Sequence, residues 1–135
     1  MARAKMGGSH GWNGNYVESA TASFSLAPDD SGKTFIFILK DAAVTVTLPA
    51  LSDINAGYKI TLISGDDSEH ILSGGNSKIY GYAIDETTTT AGNHITQLAG
   101  ASSCTVATGA IGDKFDIISD GTNWYVYVIG NAAIS

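Results

Sequence analysis

The stretch that decides the fold is GDKFDIISDGTNWYVYVIG, residues 112–130. Two runs rich in β-branched and aromatic residues flank Asp120 and Gly121, a pair able to adopt the positive φ angles of a hairpin turn. Alternation in the second run puts Trp124, Val126 and Val128 on one face, and Tyr125, Tyr127 and Ile129 on the other. A strand apolar on both faces is either central in a sandwich or exposed to a partner subunit. Phe115, Trp124, Tyr125 and Tyr127 are the candidates for the core or a subunit interface. The stretch holds no obvious catalytic group.

Period-two patterns recur outward from this hairpin. Phe24 and Leu26 alternate in TASFSLA; PDDSG, residues 28–32, makes a turn; Phe35, Phe37 and Leu39 then share a face. In AVTVTLP, Val44, Val46 and Leu48 oppose Thr45 and Thr47, and Pro49 ends the ladder because it has no N–H to donate. LSDINAG forms a loop with room for a helical turn. The pattern resumes with Tyr58, Ile60 and Leu62.

Short apolar bursts follow at Ile71 and Leu72, at Ile79 and Tyr80, and at Ile84. Each is bracketed by Gly, Ser or Asn, as in strands interrupted by bulges or corners. DETTTTAGN, residues 85–93, reads as an exposed loop or protruding hairpin; HITQLAG and SCTVATG are further strands. No segment keeps a helical period over three turns. The reading is an all-β domain of about nine or ten short strands, a single compact sandwich or barrel-like closure, with sequential pairing expected.

Composition agrees. The 135 residues suffice for one domain with a real core, charged residues make up only 15%, and Gly, Ser, Thr and Ala abound. Cys104, the single cysteine, has no partner for an intramolecular disulfide and is expected as a buried small hydrophobe. The net charge of −6 argues against nucleic-acid binding. No apolar run approaches the roughly 20 residues of a membrane span, and the start lacks the apolar core of a signal peptide.

Charge is unevenly placed. Residues 1–16 carry Arg3 and Lys5 and no acid, whereas residues 17–135 carry a balance of −8. Residues 1–18 are glycine-rich and without periodicity, yet contain Trp12 and Tyr16. Aromatic and arginine side chains are the types that anchor interfaces, so this segment is expected to be an extended docking arm on a β domain of residues 19–135.

Chemistry is hard to assemble from this inventory. His10, His70 and His94 lack the spacing of a metal site. Asp66, Asp67 and Glu69 offer hard oxygen ligands but not the spacing of an EF-hand, and a solvated acidic turn is expected. GGSHGWNG, residues 7–14, has neither the preceding strand nor the Gly-Lys-Ser/Thr of a phosphate loop. No enzyme, cofactor or metal is expected.

One resemblance joins these pieces. DDSGKTFIFIL (29–39), AVTVTLP (43–49), AGYKITLIS (56–64) and GDKFDIISDGTNWYVYVIG (112–130), in this order, resemble a family of small phage-encoded β proteins: head-decoration (cement) proteins and modules of tail fibres. The resemblance spans roughly residues 20–130 and implies a homotrimer-forming virion domain without catalytic activity. The arm, with Arg3, Lys5, Trp12 and Tyr16, favours the head. The expectation is a capsid decoration protein made in the host cytoplasm, bound to the major capsid protein on the outer head surface and stabilising the shell. The alternative is a tail-fibre receptor or glycan-binding module using Trp124, Tyr80, Tyr82 and the threonine-rich loop.

Overall fold

A computed structural model describes residues 17–37, 42–85, 94–107, 109–130 and 132–133. These form two sheets and no α-helix; short 3-10 turns at Pro28–Asp30 and Leu51–Asp53 occupy the predicted PDDSG turn and LSDINAG loop. In chain order the strands are β1 (Val17–Ala20), β2 (Phe24–Ser25), β3 (Thr34–Phe37), β4 (Val44–Thr47), β5 (Lys59–Ser64) and β6 (His70–Ser73). They continue as β7 (Ile79–Asp85), β8 (Ile95–Ala101), β9 (Cys104–Val106), β10 (Lys114–Ser119), β11 (Trp124–Gly130) and β12 (Ala132–Ala133). The first sheet has the order β1-β3-β5-β10-β11-β7-β8, and the second β12-β9-β6-β4-β2.

Sequential pairing fails over the first half of the chain. Odd strands go to the first sheet and even strands to the second, so β1, β3 and β5 pair in parallel, as do β2, β4 and β6. The chain winds as a flattened coil. A short strand ending at a turn between sheets cannot fold back as a hairpin, so each strand finds the next but one. Among the described residues hairpins occur only in the second half, where β7 pairs with β8 and β10 with β11.

The alternating faces meet between the sheets. Val44, Val46, Leu72, Cys104 and Val106 come from the second sheet; Ile60, Leu62, Phe115, Ile117, Val126 and Val128 come from the first; all lie in one buried cluster. Trp124 is 1% exposed. Tyr58 meets it edge-on, with ring centroids 5.7 Å apart and planes at 82°. The Tyr58 hydroxyl donates to the Ala27 carbonyl at 2.8 Å, and Phe24 and Phe35 join β2 to β3 across the core with centroids 4.9 Å apart.

Two expectations need amending. Val17 and Glu18, placed in the arm by the sequence, belong to β1, and Glu18 is held there by Lys33 Nζ at 3.2 Å, which also reaches Asp30 at 2.9 Å. The hairpin loop spans residues 120–123, and of Asp120 and Gly121 only Gly121 takes a positive φ, +88°. Asp120 contributes its side chain: Oδ1 accepts the N–H groups of Thr122 at 2.8 Å and Asn123 at 2.7 Å, closing an Asx turn. Leu39 and the threonine-rich segment 86–93 lie outside the described residues.

Candidate functional site: the outer face of the large sheet

The largest sheet turns one face to the core and leaves the other uncovered among the described residues. Strand register sets out that outer face row by row. Ile118 lies beside Tyr125, and Tyr125 beside Tyr80; Asp116 beside Tyr127, Tyr127 beside Tyr82, and Tyr82 beside Gln97. In the third row Lys114, Ile129, Ile84 and Ile95 are neighbours. Tyr82 is 46% exposed and Tyr127 50%, and Tyr80, Ile84, Ile95, Ile118 and Ile129 are exposed as well. Four tyrosines thus form a two-by-two block, with Ile118, Ile129 and Ile84 beside it and Asp116 and Gln97 flanking its second row.

A strand repeat of about 6.8 Å per two residues and a strand spacing of about 4.8 Å make this patch roughly 300 Å². A patch on that scale matches the largest apolar patch of a typical monomer, which is often a functional surface. The patch is poor in charge: Lys114 and Asp116 contact each other at 3.3 Å, and Asp116 accepts from the Thr61 hydroxyl at 3.4 Å. Tyr125 is half-buried, and its hydroxyl donates to Asp120 Oδ2 at 2.9 Å. Asp120 is held below the usual carboxylate range, chiefly by the Asn123 and Thr122 N–H groups and then by Tyr125. The Tyr125 phenol is in turn pushed up by that carboxylate.

The block depends on one glycine. Gly81, between Tyr80 and Tyr82, has φ +139°, and a Cβ there would collide with the Val126 carbonyl. Only glycine lets β7 lie this close to β11. A bulge at Gly100, φ +78°, shifts the register of β8 between Ile79 and Tyr80.

The structure separates the four residues assigned to core and interface. Phe115 and Trp124 lie in the core, whereas Tyr125 and Tyr127 face outward. Burial removes Trp124 from any sugar-stacking role. Tyr80, Tyr82 and Ile84 join the outer face; the mixed sequence around them hid this, because the parallel partner of β7 is distant in the chain. Arg3, Lys5, Trp12 and Tyr16 lie outside the described residues.

A second polar group sits inside one end of the sandwich. His70, 1% exposed, lies between Val44 and Val106, with Nε2 3.4 Å from Asp66 Oδ1. Burial pushes the imidazole pKa down, against the opposing pull of Asp66, Asp113 and Glu69. Asp66 Oδ1 also accepts the Ser68 N–H at 2.9 Å, and buried Asp113 accepts the Ala110 N–H at 2.8 Å. The acidic turn is thus built from its own carboxylate. Among the described residues no group of three or more His, Cys, Asp or Glu side chains is placed to hold a metal ion. Cys104 is buried, and its thiol is pushed up to about 12 by desolvation. No helix among them is long and apolar enough to cross a membrane.

No protein-family profile matches the chain, and no curated protein matches it either.

Proposed function

We propose that the protein is a structural component of a phage virion, a capsid decoration protein that binds the outer head surface as a trimer and stabilises the shell. The observation that carries this reading is the open, charge-poor block of Tyr80, Tyr82, Tyr125 and Tyr127. Tyrosine supplies large contact area at low entropic cost, and an open sheet face without a concave pocket suits another protein surface better than a small ligand. In the trimer this face packs against neighbouring subunits, and the arm with Arg3, Lys5, Trp12 and Tyr16 contacts the major capsid protein. Binding only the assembled shell stabilises it by about RT ln(1 + [L]/Kd) per site, roughly 2.7 kcal/mol at a hundredfold excess over Kd.

Light scattering coupled to size-exclusion chromatography tests the assembly: a trimer is expected, and a monomer at micromolar concentration counts against it. Deleting residues 1–16 should abolish binding to purified heads while the far-ultraviolet spectrum is unchanged.

The exposure of Tyr80, Tyr82 and Tyr127 on one plane also favours a second reading, a tail-fibre module that stacks sugars. Copy number per virion separates the two. Hundreds of copies place the protein on the head; a few to tens, with signal on a glycan array, place it on the tail.

A further inference from the structure

His70 opens β6 at one end of the sandwich and is buried there. Its ladder neighbours, Val44 on β4 and Val106 on β9, are apolar and fully buried. The charged groups that face it among the described residues are carboxylates: Asp66 and Glu69 from the turn before β6, and Asp113 from the turn before β10. Asp66 stands with Oδ1 3.4 Å from Nε2, and that oxygen already accepts the Ser68 N–H at 2.9 Å. Burial outweighs the carboxylates, so the imidazole is neutral near pH 7.

Main chain covers the ring. A Cβ at Gly109 would collide with the Ser68 carbonyl and stand 3.1 Å from the imidazole Cε1, so only glycine passes here. From Gly109 the chain runs on through residues 110–113 as a roof held by main-chain bonds. Gly112 donates to the Ser64 carbonyl and Ser64 to the Asp113 carbonyl, each at 2.8 Å, and the Ala110 N–H closes on Asp113 Oδ2, also at 2.8 Å. Ala110, Ile111 and Gly112 are exposed, Ile111 by 80%, so none of the three is anchored in the core.

A proton on His70 makes a cation where water does not reach, which is strongly unfavourable. Two walls could yield. Parting β6 from β4 or β9 would break a ladder and expose Val44, Val106 and Leu72, whereas lifting the roof exposes main chain, Asp113 and the imidazole itself. The second route gives up less. We propose that residues 109–113 are an acid-released roof: when His70 takes a proton they lift, water reaches the ring, and the turn before β10 becomes mobile while both sheets stay folded. Local opening of this kind needs only a weakly packed segment above a strongly packed one. The device goes beyond the decoration reading and does not rest on it.

Amide hydrogen exchange on the full chain tests the roof, with rates corrected for the intrinsic effect of pH. Between pH 7.5 and pH 5 the Ser64 and Gly112 amides should lose protection about tenfold, while amides within β10 and β11 keep theirs. The loss should set in below about pH 6.5, where the imidazole of an opened roof titrates, and grow as pH falls. His70→Gln, with an uncharged polar side chain at the site, should hold at pH 5 the protection it has at pH 7.5. Unchanged protection at pH 5, simultaneous loss across β10 and β11, onset only near about pH 4 where carboxylates titrate, or release persisting in His70→Gln would each overturn the proposal. The onset in the wild-type protein decides even where His70→Gln does not fold. Head binding enters none of these measurements, so their failure is distinct from failure of the decoration reading.

Discussion

Tyr58 and Trp124 meet with their ring planes nearly perpendicular, and the Tyr58 hydroxyl reaches past the core to the Ala27 carbonyl. The contact joins β11, the loop before β5 and the segment after β2. Trp124→Ala should destabilise the fold by about 3 to 5 kcal/mol, read from the urea midpoint. Tyr58→Phe keeps the ring contact and leaves the carbonyl without its donor, at about 1 kcal/mol. A Trp124→Ala variant that unfolds at the wild-type midpoint would show that the ring is not in the core.

Gly81→Ala should cost at least about 3 kcal/mol, because a positive φ and a collision with backbone act together. Gly32→Ala, at φ +91° with open space around it, should cost only about 1 to 2 kcal/mol. Equal midpoints for the two variants would contradict the close approach of β7 to β11.

His70 predicts a pH dependence. Its imidazole titrates lower in the folded protein than in the unfolded chain, so near and below pH 6.5 the unfolded state binds more protons. Stability is fully present above that pH and falls as pH drops, by at most about 1.4 kcal/mol per pH unit. His70→Leu should flatten the thermal midpoint between pH 5 and 7; an unchanged slope assigns the effect elsewhere.

The outward tyrosines should matter for association and not for folding. Tyr82→Thr with Tyr127→Thr replaces aromatic side chains by β-branched ones of similar strand preference at exposed positions, so stability should change by about 1 kcal/mol or less, read from the urea midpoint. The oligomer should dissociate at higher concentration than wild type. Unaltered association would remove this face from the subunit interface.

Cys104 offers a probe of global opening. A buried thiol pushed up to about 12 should resist a disulfide reagent in the native protein and react at the unfolding rate in denaturant. Fast native labelling would show that β9 opens locally.

Alternation in YKITLIS, AVTVTLP and NWYVYVIG was enough to read both the strands and their buried faces, since a period of two needs only neighbours in sequence. Pairing order was not legible. Nothing in Phe35 or Leu62 says that they will be adjacent, because the strand between them crosses to the other sheet. The tyrosine block is half legible for the same reason: Tyr125 and Tyr127 stand in a clear strand, while Tyr80 and Tyr82 join them only through the parallel pairing of β7 with β11. Gly81 looked like an interruption of a strand and is the condition for that pairing.

The alternating coil also bears on how the chain reaches its fold. Parallel neighbours such as β3 and β5 are separated by a whole excursion through the second sheet, and Ile79 must wait for Trp124. Contacts of such sequence separation carry loop-closure entropy before they repay it, which places folding in the slow range of about milliseconds to seconds. During synthesis β7 emerges long before β11, so its inner edge stays unpaired until the last hairpin leaves the ribosome. The hairpin at residues 112–130 is then the latch of the fold, and truncation just before it should yield a chain that aggregates rather than a smaller sandwich.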